Sequence, residues 1–344
     1  MDTLIEKISP DKIDGDKIRR AAEIIRSGGL VVFPTETVYG LGGNGTDKDA
    51  AKKIYAAKGR PSDNPLIIHV SEPEDAESYC YTNEYYYKLA RAFMPGPLTV
   101  ILPKKDSIPY SVTGGLDTVA VRCPSHPIAR ALISASGLPI AAPSANVSGR
   151  PSPTCARFVI EDMDGRVDMI IDGGECEIGL ESTIIKLDGG KATLLRPGAI
   201  TSDALSCICE HVEIAPSVLE ELKENERPLS PGMKYRHYAP NSPLVLVNGK
   251  DEDKLEFFQN AQKNENSAIL CYDEDLPFLV NDKLISIGKR DDVEHHAKVI
   301  FTALRDIDKL GAHVIYGHLP KKDGIGLALY NRMIRAAAHT IKEV

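Results

Sequence analysis

Apolar residues fall along this chain in short runs and helical stripes that alternate from one end to the other. Ile18 to Arg26 carries apolar side chains at helical spacing, and Ser27-Gly28-Gly29 stops the pattern. Leu30-Val31-Val32-Phe33 then forms a continuous apolar run, the mark of a buried strand. The same reading predicts helices over 47–57, 83–92 and 127–136, and strands over 66–70, 98–102, 118–122, 138–142, 169–172 and 184–187. Farther on it predicts strands at 244–247, 268–271, 284–287 and 314–316, and helices at 254–262, 292–309 and 327–342. In the 292–309 helix, Val293, Ala297, Ile300, Phe301, Leu304 and Ile307 share one face. Strands and helices alternating in this way predict an α/β protein built on open sheets.

The polar stretches between these runs hold the candidate chemistry. Lys58-Gly59-Arg60-Pro61-Ser62-Asp63-Asn64-Pro65 joins a helix to a strand. Gly59 allows a turn, and the two prolines fix φ around the polar residues. An ammonium and a guanidinium one residue apart suit phosphate or carboxylate oxygens, although a lone Lys-x-Arg reads first as a solvated turn. Four further loops follow or open apolar strands: Thr35 to Gly43, the end of the strand at Arg122, Pro143 to Ser152, and the pair Glu181-Ser182-Thr183 and Arg196-Pro197-Gly198. Arg122 either snorkels outward or meets an anion. The glycines of 40–43 predict a loop; the Gly-x-Gly-x-x-Gly and Walker spacings are absent. Together the loops predict one shared, anion-lined pocket at strand ends.

At 344 residues the chain exceeds one ordinary core. The expected division is a first domain over 1–210, a linker over 211–243 and a smaller α/β domain over 244–344. Pro228-Leu229-Ser230-Pro231-Gly232 suits a linker, and the aromatic, basic run from Met233 to Pro240 predicts a lid over the pocket. A net charge of −8 argues against a protein that grips long nucleic acid, yet permits a locally basic pocket for an anionic metabolite. The seven cysteines are scattered and odd in number, which predicts reduced thiols and a cytoplasmic setting. No apolar run is long enough to span a bilayer and no signal peptide is visible, so no membrane association is expected. His295, His296, His313 and His318 lack metal-ligand spacing and predict surface or capping roles; no metal cluster of the protein's own is expected.

These residues resemble the Sua5/YrdC/YciO family. Lys58-x-Arg60 with Ser144-x-Asn146 is similar to its signature. So are the blocks Phe33 to Leu41, Pro95-Gly96-Pro97-Leu98-Thr99 and Glu181-Ser182-Thr183. Ser230-Pro231-Gly232-Met233 and His237-Tyr238-Ala239-Pro240 resemble the linker of the longer, two-domain Sua5 branch. The resemblance implies a YrdC-like twisted mixed-sheet domain followed by a smaller Rossmann-like α/β domain. It implies a nucleotidyltransferase that makes L-threonylcarbamoyladenylate and pyrophosphate from L-threonine, bicarbonate or CO2, and ATP. This is the first step toward N6-threonylcarbamoyladenosine (t6A) at position 37 of tRNA. Mg2+ would arrive bound with ATP, and the product would pass to the t6A transferase machinery, with tRNA binding weak at most.

Site residues carry over with the motifs. Lys58, Arg60, Ser144 and Asn146 are the implied catalytic set. Thr35, His69, Arg122, Ala142 and Ser182 are implied on the threonine side. Lys58, Ser62, Thr118, Ser144, Ser152, Arg196 and Tyr235 are implied on the ATP side. The alternatives are an RNA-binding module of the same fold without synthase activity, and a carbamoyl-transfer relative, for which zinc-finger cysteines are expected but absent. No Ser-His-Asp or Cys-His set is needed, because the threonine amine captures CO2 and the resulting carbamate attacks the α-phosphate.

Overall fold

The computed structural model describes residues 2–220, 238–280 and 282–344. The chain divides into two compact units. Of the described residues, the first holds 2–148, 152–177 and 181–220, and the second holds 149–151, 178–180 and 238–344.

The first unit is built on eleven strands: β1 (Leu4–Lys7), β2 (Val31–Phe33), β3 (Gly40–Asn44), β4 (Ile67–His69), β5 (Leu98–Pro103), β6 (Thr118–Arg122), β7 (Ile140–Ala141), β8 (Met169–Asp172), β9 (Thr183–Asp188), β10 (Lys191–Arg196) and β11 (His211–Ile214). They form a mixed sheet in the order β1-β8-β2-β3-β7-β4-β6-β5-β9-β10-β11. Its helices are α1 (Gly15–Arg26), α2 (Lys48–Lys58), α3 (Glu84–Phe93), α4 (Pro127–Ser136), α5 (Ala156–Met163) and α6 (Ser202–Ser206).

Local sequence explains where the helices begin and end. Asp14 caps α1, its carboxylate accepting from the amides of Asp16 and Lys17. Ile18, Ala21, Ala22 and Ile25 then bury one stripe of α1 against Ile128, Ala129, Leu132 and Ile133 of α4 and against Val31, Phe33, Met169 and Ile171 of the sheet. Each large aliphatic side chain fully buried there stabilises the fold by roughly 1.5–3 kcal/mol relative to exposure. Asp47 caps α2, and Gly59 ends it in the left-handed region at φ 60° and ψ 37°. That stop makes Lys58 the last helical residue.

The second unit is an all-parallel sheet in the order β14-β13-β15-β12-β16, from β12 (Leu244–Asn248), β13 (Ser267–Cys271), β14 (Leu284–Ser286), β15 (Val314–His318) and β16 (Ile341–Glu343). Helices α7 (Asp251–Ala261), α8 (Val293–Asp308) and α9 (Gly326–Ala336) connect the strands. Val247, Phe258, Ile269 and Cys271 form its core. The mixed sheet followed by this smaller parallel sheet agrees with the expected fold class.

Several local expectations are corrected. Residues 40–43 are a strand, not a loop: Val31, Val32 and Phe33 pair antiparallel with Gly42, Leu41 and Gly40. Glycine is used because a Cβ at Gly42 would lie 2.7 Å from both Ile140 Cγ2 and Phe33 Cε1. Residues 211–214, expected to open a linker, form β11 and pair parallel with β10. The last helix ends at Ala336, and Ile341 and Lys342, expected to be helical, belong to β16. His296 and His318 are buried rather than superficial. Both stack on Tyr272, at centroid distances of 4.9 and 4.2 Å, and His318 Nε2 lies 2.7 Å from Asp275 Oδ2. Burial pushes His318 below its ordinary pKa although the Asp275 carboxylate opposes the shift. All seven cysteines are free.

Candidate active site

Strand register sets the centre of the site. In the parallel β4/β6 pair His69 lies opposite Arg122, and in the antiparallel β5/β6 pair Thr99 lies opposite Arg122. Residues paired in this way project from the same face, so three neighbouring strands present an imidazole, a guanidinium and a hydroxyl at one level. All three residues are buried. Thr99 Oγ1 lies 2.7 Å from Ser182 Oγ, just before β9. Arg196, at the end of β10, donates from Nε to the Ser182 carbonyl at 3.0 Å and from Nη2 to Ser182 Oγ at 3.1 Å. The register therefore links His69, Arg122, Thr99, Ser182 and Arg196 in a continuous polar band.

His69 Nδ1 is 3.2 Å from the carbonyl of Ile140. A carbonyl only accepts, so Nδ1 carries the hydrogen and Nε2 presents a lone pair. Burial, and secondarily the Arg122 charge, push the imidazole down to about 3, so it is neutral at physiological pH.

The 35–38 loop folds on itself. Thr35 Oγ1 donates to the Val38 carbonyl at 2.6 Å and accepts from the amides of Thr37 and Val38 at 3.2 Å each. The next residue, Glu36, accepts from Arg122 Nη2 at 2.7 Å through Oε1 and from the Ser125 amide at 3.2 Å through Oε2. This ion pair is almost wholly shielded from solvent, with side-chain exposures of 5% for Arg122 and 4% for Glu36.

The Lys58 ammonium leaves the end of α2 for the loop after β7. It donates to the carbonyls of Ser144 at 2.5 Å and Asn146 at 2.6 Å, and approaches Asn146 Oδ1 at 3.4 Å. Ser144 Oγ donates to Asn146 Oδ1 at 2.5 Å. The Ser148 amide returns a bond to the Lys58 carbonyl. The same loop is stitched to residues 39–41 by Ala145 N to Tyr39 O, Leu41 N to Pro143 O, and a bridge between Gly40 and Ser144. Loops more than eighty residues apart in the chain are thereby drawn together.

The remaining predicted residues are placed as follows. Arg60 Nη2 donates to the carbonyls of Asn64 and Pro65, which stiffens its own loop. Ser62 is exposed on that loop. Ala142 is buried, its amide donating to Ile67 O at 2.9 Å. Ser152 Oγ donates to Glu181 Oε1 at 2.6 Å, tying the 152 loop to the segment before Ser182. Thr118 opens β6, four residues from Arg122 and so about 13 Å away along the strand. It does not share the level of His69 and Arg122. Tyr235 lies outside the described residues.

Two residues of this band received no role from the sequence. Thr99 is the one hydroxyl inside the apolar run 98–102, and a buried polar residue in such a run needs a partner. Glu36 stands in the motif between two threonines, where its buried pairing with Arg122 depends on contacts 86 positions apart.

Two family models cover the chain. The Sua5/YciO/YrdC model, described as telomere recombination, matches residues 23–198. A second, described as the threonylcarbamoyl-AMP synthase C-terminal domain, matches residues 200–338. The threonylcarbamoyl-AMP synthase of Pyrococcus abyssi is 44% identical over 97% of this chain and 98% of its own length. That of Bacillus subtilis is 44% identical over 93% of each. The crystal structure of P. abyssi Sua5 complexed with L-threonine superposes with a TM-score of 0.93 at 42% identity, covering 99% of this chain and 100% of that one. The chain thus belongs to the Sua5/YciO/YrdC family, in its two-domain, threonylcarbamoyl-AMP synthase form.

Proposed function

We infer that this chain is a threonylcarbamoyl-AMP synthase, joining L-threonine, bicarbonate or CO2, and ATP into L-threonylcarbamoyladenylate and pyrophosphate. The observation that carries the reading is the near full-length identity to two curated synthases. It favours the enzyme over the RNA-binding module.

The geometry supports a division of labour. Arg122 faces the threonine carboxylate with a buried Nε that has no hydrogen-bond partner among the described residues. The lone pair on His69 Nε2 and the hydroxyl of Ser182 suit the threonine hydroxyl and amine, while Thr35, whose hydroxyl is committed within its own loop, shapes that side of the pocket. Lys58 acts chiefly by charge and by fixing the 144–146 loop, since its ammonium already donates to that loop's oxygens. Ser144, Ser152 and Arg196 face the nucleotide. The nucleophile is the carbamate formed by the substrate amine, so the protein contributes positioning and a cationic field that offsets repulsion among carboxylate, carbamate and triphosphate. The side chains named on the nucleotide side are hydroxyls and cations. That set fits an ATP whose Mg2+ is held by its own phosphate oxygens, where it would supply charge neutralisation.

The product is proposed to pass to the machinery that completes t6A on tRNA. No helix of the described residues is long and apolar enough to cross a membrane. The free thiols support a cytoplasmic site of action.

The test is to incubate the protein with ATP, Mg2+, bicarbonate and L-threonine, omitting each in turn, and to measure pyrophosphate and the adenylate. Formation of both only in the complete mixture is expected; pyrophosphate release that ignores threonine overturns the reading. Serine should fall behind threonine by roughly 10- to 200-fold, as for one missing methyl, and valine farther, because it leaves buried polar groups unpaired.

A further inference from the structure

We propose that Glu36 is a positioning residue for threonine recognition: it clamps one side of the Arg122 guanidinium so that the remaining donor edge faces the substrate carboxylate. The inference rests on the synthase reading above.

The carboxylate of Glu36 is fixed at both oxygens, by Arg122 Nη2 at 2.7 Å and by the Ser125 amide at 3.2 Å. Its backbone is held by the bonds that Thr35 Oγ1 makes to residues 37 and 38. The clamp therefore belongs to a stiff loop, and it grips an arginine whose own backbone is locked between β4 and β5. A buried ion pair is a poor source of net stability, because removing both charges from water offsets most of their attraction. What it does supply is direction. A guanidinium is a planar fork, and fixing one donor fixes the plane of the others. Arg122 Nε is buried and without a hydrogen-bond partner among the described residues. An N–H left in that state is costly unless a ligand completes it, and a carboxylate is the group that matches such a fork. Glu36 also places a negative charge beside Arg122, so the pair is neutral before substrate arrives. A zwitterionic amino acid, likewise neutral overall, then enters with its carboxylate toward Arg122. An amino-acid amide lacks that match.

The test measures L-threonine binding by calorimetry and steady-state kinetics in the full-length wild type, Glu36→Gln, Glu36→Asp, Arg122→Gln and the Glu36→Gln/Arg122→Gln double variant. Glu36→Gln should raise the threonine Kd and KM by roughly 10- to 100-fold, the scale of a charge-assisted hydrogen bond. It should leave the KM for ATP within about twofold, and it should narrow the preference for threonine over threoninamide. Glu36→Asp should recover part of the loss. In the Arg122→Gln background the Glu36→Gln change should add little, since its effect runs through Arg122. If the wild type binds threonine and Glu36→Gln binds it equally well, or if both KM values rise together and the effects are additive, the positioning role is overturned while the synthase reading stands. Failure of the wild type to bind threonine overturns both.

Discussion

At the scale of single residues, the site depends on charges placed where water cannot reach them. The structure holds His69 neutral by burial and by the neighbouring guanidinium, with its pKa at about 3. An unfolded chain takes up a proton at His69 near pH 6.5, and the folded chain does not until about pH 3. The unfolded state therefore binds more protons in that window. The contribution is fully present above pH 6.5 and is lost as the pH falls toward 3. Urea unfolding of wild type and His69→Gln across pH 7 to 4 should show the wild type losing stability more steeply, by about one proton's worth of slope. Equal slopes would mean that His69 is solvated. His126, His296 and His318 are also lowered by burial, and they contribute to the slope that remains along with lowered carboxylates such as Asp251 and Asp275.

The same scale shows what the sequence did and did not reveal. Lys58, Ser144 and Asn146 were legible as partners from their motifs, and the structure joins them directly. The roles of Glu36 and Thr99 were not, because each is defined by a distant contact: Glu36 by Arg122, Thr99 by Ser182. His296 and His318 looked superficial because no spacing linked them to Tyr272 or Asp275. The burial of His318 follows from strand packing, which local pattern does not encode, whereas His296 lies on the apolar stripe of α8, three residues after Val293 and four before Ile300, where helical spacing already points inward.

At the scale of elements, most strands and helices of the first unit were legible because their apolar runs are continuous and their stops are glycine or proline. The exceptions have physical causes. β3 reads Gly-Leu-Gly-Gly-Asn, a composition that signals a turn, yet it pairs on both sides between β2 and β7. Gly42 answers to crowding from Phe33 and Ile140, and Gly43 to that from Leu30 and Ile54, rather than to flexibility. Gly42→Ala should therefore cost about 1–3 kcal/mol, as overpacking does in a closed interior. Thermal unfolding should show a fall of several degrees, since ~1 kcal/mol is worth roughly 2–4 °C in a unit of this size. An unchanged midpoint would show that the layer between Phe33 and Ile140 yields freely. β11 and β16 were missed because four- and three-residue strands with exposed positions carry almost no period-two signal.

At the scale of the whole molecule, the eleven-stranded sheet lies within residues 2–220, and the cations and hydroxyls of the site lie on its strands or on the helix end and loops that adjoin them. A chain ending at residue 220 should fold and retain threonine binding, by circular dichroism and calorimetry. Its rate of adenylate formation should fall, because the run from Met233 to Pro240, which the sequence predicts as a lid that excludes water, is then missing. Full turnover by the shortened chain would remove any part for them in the reaction. The division into a large and a small α/β unit was legible from length and from the proline-rich stretch near 230. The chemistry of the smaller unit was not, since its strands carry no motif of the kind seen at Lys58 or Ser144.

The shared level of His69, Arg122 and Thr99 has a consequence for how this chain tolerates change in length. Their alignment is a matter of phase across one parallel and one antiparallel pairing. One residue inserted or deleted inside β6 would swing the guanidinium to the other side of the sheet, severing it from imidazole, hydroxyl and carboxylate in a single step. In the turn before β6, Thr113 and Gly114 are buried and Gly114 packs on the backbone of Asp63, so variation in length should be confined to the tip at 115–117 and stop abruptly at Thr118.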